Sequence, residues 1–208
     1  MKLLQFILLG FQSTAWWVMW TILLCLFVML ALAIERAYYL YFKCDSGNRS
    51  LLNVVSKYLK TGEYDKAIKH ASASSTPLSK GILSVLQNRT KGPKAIKKAV
   101  DEVFLTEGPK IKRNIHFLNM LANSATLIGL TGTIFGTMEC FDAIANAPAA
   151  QRAQQLASGI SITMSATLFG LFVAVPSVIT HAILSGQADK IVEDLDEKTT
   201  KLINAIEE

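Results

Sequence analysis

The sequence predicts an all-α membrane protein: three transmembrane helices, with a helical cytoplasmic domain between the first and the second. Three observations predict it. Hydrophobic residues make up 51% of the 208 and charged residues only 18%, against about 45–50% and about 25% in an ordinary soluble domain. The apolar excess is concentrated: Leu3–Ile34 carries no charge, Asn114–Met138 none beyond the titratable His116, and Ala153–Ala188 none beyond His181. Each stretch can supply the roughly 20 apolar residues of one helical crossing. No stretch alternates apolar and polar residues in the manner of a strand.

Residues 1–13 read as an N-terminal interfacial segment, helical over 3–11, and 14–36 as the first span. Lys2 and the leucines after it imitate a secretory signal, with Ala31-Leu32-Ala33 as an imitation cleavage site. The uncharged stretch is too long for that and ends in Glu35-Arg36, as an anchored span does. Trp16, Trp17 and Trp20 then fall at the outer interface, where indoles prefer to lie.

Residues 37–113 form the predicted cytoplasmic helical domain. From Lys43 to Arg113 there are fifteen cations against six acids, a net +9 in a chain that is +5 overall. The bias of Lys and Arg toward the cytoplasm places this region inside, the N-terminus outside and the C-terminus inside. Asn48-Arg49-Ser50 and Asn88-Arg89-Thr90 match a glycosylation pattern by chance on that topology. Leu51, Val54, Val55, Tyr58 and Leu59 form one helical face, ended by Thr61-Gly62. A second helix is expected over 63–71 and a small-residue linker over 72–77. Leu78, Ile82, Val85 and Leu86 form a third face before Gly92-Pro93, and Ile96, Val100, Val103 and Phe104 a fourth, with Gly108-Pro109 a kink site. The lysines lack aromatic interleaving, so no nucleic-acid partner is expected, and attraction to anionic membrane lipid is.

The second span (114–141), a periplasmic loop (142–155), the third span (156–185) and a cytoplasmic tail (186–208) complete the organisation. The second span is unlike a plain anchor. Asn119, Asn123, Thr126, Thr133 and Thr137 recur at steps that put them on one helical face. Gly129, Gly132 and Gly136 occupy an adjacent face, where another helix can approach closely. In the third span Thr163, Thr167, Gly170, Ala174 and Ser177 share a face, Ser158, Ser161 and Ser165 a neighbouring one, and Pro176 frees a carbonyl that needs a local partner. Two readings fit these stripes. One is helix packing; the other is a polar seam for an ion or a partner helix. A proton path also needs a group that gains and loses the proton. No carboxylate occurs within 115–138 or 153–188, and Glu139 and Asp142 belong to the outer end of the second span. The titrating group of any proton path must therefore come from another subunit. His116 and His181 fit interfacial packing, with a relay as the alternative, and Glu35-Arg36 fits a boundary anchor.

The run Leu127-Ile128-Gly129-Leu130-Thr131-Gly132-Thr133-Ile134-Phe135-Gly136-Thr137-Met138 resembles the second-span motif of the MotA/TolQ/ExbB proton-channel family. Gly159-Ile160-Ser161, followed by residues Ala166 to Pro176, is similar to its third-span motif. Three spans point to the ExbB/TolQ-like branch. The resemblance implies that Thr133 and Thr167 line a central pore and face a partner's transmembrane aspartate. It implies a homopentamer around a dimer of a single-span ExbD/TolR-like protein, with a TonB/TolA-like client. The function it implies is proton-motive-force-driven energy transduction in the bacterial inner membrane. A family glutamate expected five residues before that threonine is here Ile162. A non-conducting structural membrane scaffold is the competing class. An enzyme is not expected, since no nucleotide loop or nucleophile constellation occurs. No cofactor is implied, and Cys25, Cys44 and Cys140 lack metal or disulfide spacing.

Overall fold

The structure, a computed structural model, describes residues 16–44 and 48–207. The expected interfacial segment at 1–13 lies outside them. The described residues are almost all helical, joined by short turns, with no strand among them. The chain divides into two compact units: Ala33 and the described residues before it join His116–Ala182, and Ile34–Ile115 join Ile183 and the described residues after it.

The first unit is a bundle built from three helices: α1 (Trp16–Tyr38), α6 (Ile115–Ala145) and α7 (Arg152–Glu207). Each contains a stretch long and apolar enough to cross a membrane. Its core is Val18, Met19, Ile22, Ala125, Ala166, Phe169 and Val173. Leu24, Phe27, Leu127, Met138, Met164 and Phe172 point away from that core and are more than half exposed, as side chains in contact with lipid tails would be. The connection between α6 and α7 covers only residues 146–151. The helices thus extend further on both sides than the loop expected over 142–155. With 56 residues, α7 runs about 84 Å, well beyond a bilayer core, and the tail after 185 is its continuation.

The second unit packs α2 (Asn48–Lys60), α3 (Tyr64–Ser72), α4 (Pro77–Asn88) and α5 (Pro93–Lys112) with the last turns of α7. Its core joins the apolar faces expected from the sequence: Leu51, Val55, Leu78, Ile82, Val85, Leu86, Ile96 and Val100, closed by Leu195 and Leu202 of α7. The boundaries have local causes. Gly62 takes φ 73° and Gly92 φ 86°, left-handed conformations that a side chain disfavours, and these end the preceding helical segments. Thr76 caps α4: its Oγ1 accepts a hydrogen bond from the Ser79 amide at 3.2 Å, with Pro77 in the first turn, which satisfies one of the amides a helix start leaves open. Pro109 sits inside α5 without ending it. The break falls instead at Asn114, whose φ is 62°, a conformation asparagine tolerates better than most residues. At the end of α1 the chain widens into a π-helical turn, Tyr39–Cys44.

Candidate functional site

Gly129, Gly132 and Gly136 of α6 face residues of α1 and α7 within one chain. A Cβ on Gly129 would stand 3.0 Å from the Ala166 carbonyl oxygen and 3.3 Å from the Gly170 Cα. One on Gly170 would stand 2.7 Å from the Ala125 carbonyl oxygen and 3.2 Å from the Gly129 Cα. The backbones of α6 and α7 therefore touch at Gly129 and Gly170, an approach no larger residue permits. Gly132 faces Ala166 and Val18, and Gly136 faces Thr163. Further along, Gly159 lies against Cys140, a contact that neither residue type announces in sequence.

That close approach brings threonines together. Thr133 Oγ1 and Thr167 Oγ1 are 3.2 Å apart, 34 residues distant in the chain. Thr133 Oγ1 also lies 2.6 Å from the Leu130 carbonyl, and Thr167 donates to the Gly129 carbonyl across the helix contact at 3.1 Å. A hydroxyl carries one proton and two acceptor lone pairs. Two protons thus face three contacts. When both are spent on backbone carbonyls, the two oxygens confront each other with lone pairs only, an arrangement that accepts a proton-bearing group. Rotation of either hydroxyl lets the pair donate to an anion instead. Both threonines are half-buried, so the pair is reachable from one side.

The other predicted residues fall into two groups. Asn119, Asn123 and Thr126 are exposed on one face of α6, and Thr137, at its far end, is half-buried. Thr126 donates to Ala122 O at 3.0 Å and Thr137 to Thr133 O at 2.6 Å, so their protons are spent on their own helix. Asn119 and Asn123 have no hydrogen bond to other described residues, and unsatisfied amides on an apolar-length helix call for water or a partner. The second group belongs to the α6–α7 contact. Thr163 is buried against Gly136 and donates to Ile160 O at 2.9 Å. Ser177, fully buried, donates to Leu118 O at 2.6 Å, and Pro176 beside it lacks the N–H that would pair with the Phe172 carbonyl. Ile162 is half-buried, and Glu139 and Asp142 are exposed. No group of three or more metal-ligating side chains occurs among the described residues.

A charged cluster in the second unit was not legible beforehand. Arg36 is buried, its guanidinium donating to Glu35 Oε1 at 3.1 Å and lying 5.3 Å over the Tyr39 ring. Glu107, also buried, receives Lys110 Nζ at 2.8 Å and Lys80 Nζ at 3.0 Å on the same oxygen. Burial pushes that carboxyl upward, but the two ammonium groups outweigh it and hold the group below the ordinary carboxylate value.

The chain is similar in sequence to proteins of one known family. A family model described as the MotA/TolQ/ExbB proton channel family matches residues 70–197. An ExbB homolog described as a biopolymer transport protein, from Methanothermobacter thermautotrophicus, is 25% identical over 166 residues, 79% of this chain and 58% of its own. The Tol-Pal system protein TolQ of Haemophilus influenzae is 34% identical over 113 residues, 52% of this chain and 49% of its own. The ExbB biopolymer transport protein of Vibrio cholerae is 23% identical over 188 residues, 89% of this chain and 82% of its own. The chain thus spans about half the length of the first two and most of the third.

Proposed function

The chain belongs to the MotA/TolQ/ExbB proton channel family, and from that premise we propose that it is an ExbB/TolQ-like subunit of an energy-transducing motor in the bacterial inner membrane. Copies of the chain, five in our reading, surround a dimer of a single-span ExbD/TolR-like protein. Protons driven by the membrane potential pass through that assembly, and the work reaches a TonB/TolA-like client. The N-terminus faces the periplasm and the C-terminus the cytoplasm, which puts the net +9 of residues 43–113 on the inner side. The role is transport rather than catalysis.

The observation that carries this reading is the Thr133–Thr167 pair, two hydroxyls that lack one proton for their contacts, in helix stretches 115–138 and 153–188 that hold no carboxylate. A threonine hydroxyl does not gain and lose a proton near neutral pH; a carboxylate whose pKa is raised by burial in the membrane does. The partner's acid is therefore the carrier, and the threonines are its station. Ionised, it accepts from a rotated threonine hydroxyl; protonated, it donates to the exposed lone pairs and leaves more cheaply, because a neutral acid crosses apolar surface at lower cost than a charged one. One elementary charge moving through 100 mV supplies about 2.3 kcal/mol. Ile162 fits this division of labour, since all acid chemistry is left to the partner.

The test replaces Thr133 and Thr167 with valine, separately, in cells that carry the natural partner. A hydrogen bond to a charged group is worth about 1.5–3 kcal/mol, so each variant should slow client energisation by at least tenfold. Unchanged energisation in both variants leaves only the scaffold reading.

A further inference from the structure

We infer that Leu130 is the proton barrier of α6, an apolar collar separating two polar half-paths that only a neutral carboxylic acid crosses. The inference deepens the function proposed above and rests on it.

The polar face of α6 is not continuous. From Asn119 to Asn123 and on to Thr126 the axial steps are about 6 and 4.5 Å, close enough for single waters to link the groups. From Thr126 to Thr133 the step is about 10.5 Å. Leu130 fills that gap in the middle of the stripe: it lies within about 20° of Asn119 around the helix, and it is 52% exposed. Leu127 at 62% and Ile134 at 56% flank it. Thr131 does not bridge the gap, since it sits about 120° around the helix and donates back to Leu127 O.

The two sides differ in chemistry. Toward the N-terminus of α6 are the Asn119 and Asn123 amides, which bring both donors and acceptors and have no partner among described residues. Toward the C-terminus is the threonine pair, whose two hydroxyls also contact the Leu130 and Gly129 carbonyls. Several copies of α6 around an axis would close their leucines into a ring that excludes water. A charge cannot be handed across such a ring by waters, and an ionised carboxylate crosses it only at a desolvation cost. On the Thr133 side the partner's carboxylate takes one proton from water, forming one O–H bond. On the Asn123 side that O–H bond breaks and the proton passes to water, which restores the carboxylate. One proton moves and nothing is oxidised or reduced.

The test uses inverted membrane vesicles containing the full chain with its natural partner, loaded with a pH-sensitive dye. L130N and L130S, in assemblies of wild-type size, should raise passive proton leak about tenfold, the factor given by about 1.4 kcal/mol of barrier. L130M, which keeps the side chain apolar and long, should restore wild-type tightness. Wild-type leak in L130N and L130S overturns the collar. Failure of the underlying function looks different: wild-type vesicles carry no more proton flux than vesicles lacking the complex, Thr133→Val changes nothing, and the collar falls with it. A second measurement is independent of flux. A membrane-impermeant thiol reagent should label Asn123→Cys above the background of Cys25, Cys44 and Cys140, and should leave Leu130→Cys unlabelled. Equal labelling of the two overturns the inference.

Discussion

Gly170→Ala is the substitution that bears most directly on the contact holding the threonine pair. The added Cβ would meet the Ala125 carbonyl oxygen at 2.7 Å and the Gly129 Cα at 3.2 Å. Both are backbone atoms, so no side-chain rotation relieves the clash, and the helices must part. Ordinary contact begins at 3.4 Å, so the separation required is about 0.7 Å. Applied to the Thr167 hydrogen bond to Gly129 O, now 3.1 Å, that displacement gives about 3.8 Å, beyond hydrogen-bonding range. Overpacking costs about 1–3 kcal/mol, and the better helix propensity of alanine returns up to about 1 kcal/mol. The net loss of up to about 2 kcal/mol should lower the thermal midpoint of the detergent-solubilised complex by up to about 8 °C. Gly186→Ala is the control. It lies in the same helix with nothing within 4 Å of the added carbon, so only propensity acts and the midpoint should rise by about 2–4 °C. A Gly170→Ala protein at least as stable as Gly186→Ala, and fully able to energise its client, would refute the close approach and the geometry that depends on it.

Ser177→Ala removes a buried hydroxyl donated to Leu118 O at 2.6 Å, and unfolding of the solubilised protein should register a loss of about 1 kcal/mol; a neutral result would mean the bond contributes nothing. Thr76→Ala uncaps α4 and should cost about 1 kcal/mol, with amide hydrogen exchange rising first at Leu78–Lys80. Glu107 gives a pH signature whose sign follows from its lowered carboxyl. Such a group stabilises the fold above the ordinary glutamate value of about 4.3 and loses that contribution as pH falls through its folded value. The melting temperature should therefore drop in acid for the wild type, and Glu107→Gln should be less stable at pH 7 with a flatter acid limb. Parallel profiles for the two proteins would remove Glu107 from the account.

What could be read from the residues, and what could not, follows from whether one helix or two are involved. Glycines at 129, 132 and 136 in an otherwise apolar helix have little use except close approach, and the structure brings α7 and Val18 against them. Likewise the faces of the four short helices converge on one core because 3.6-residue periodicity is a property of each helix alone. The meeting of Thr133 with Thr167 depends on the relative register of α6 and α7, which no periodicity within either helix encodes. For the same reason Ser177 and Thr163, members of one polar stripe in sequence, turn out to serve the helix contact. Burial of Arg36 and Glu107 was hidden by their charge, which by itself argues for a solvated position. The extension of α6 and α7 past the apolar stretches was missed because hydropathy marks where a membrane would be and not where a helix stops.

The most direct test is a distance in the purified native assembly, resolved by electron cryomicroscopy with the partner in place. A partner carboxylate should lie within about 2.6–3.2 Å of the hydroxyl of Thr133 or Thr167 in at least one subunit, with both side chains turned to the ring axis. Hydroxyls facing lipid, or an axis holding no acidic helix at their level, would contradict the proposal.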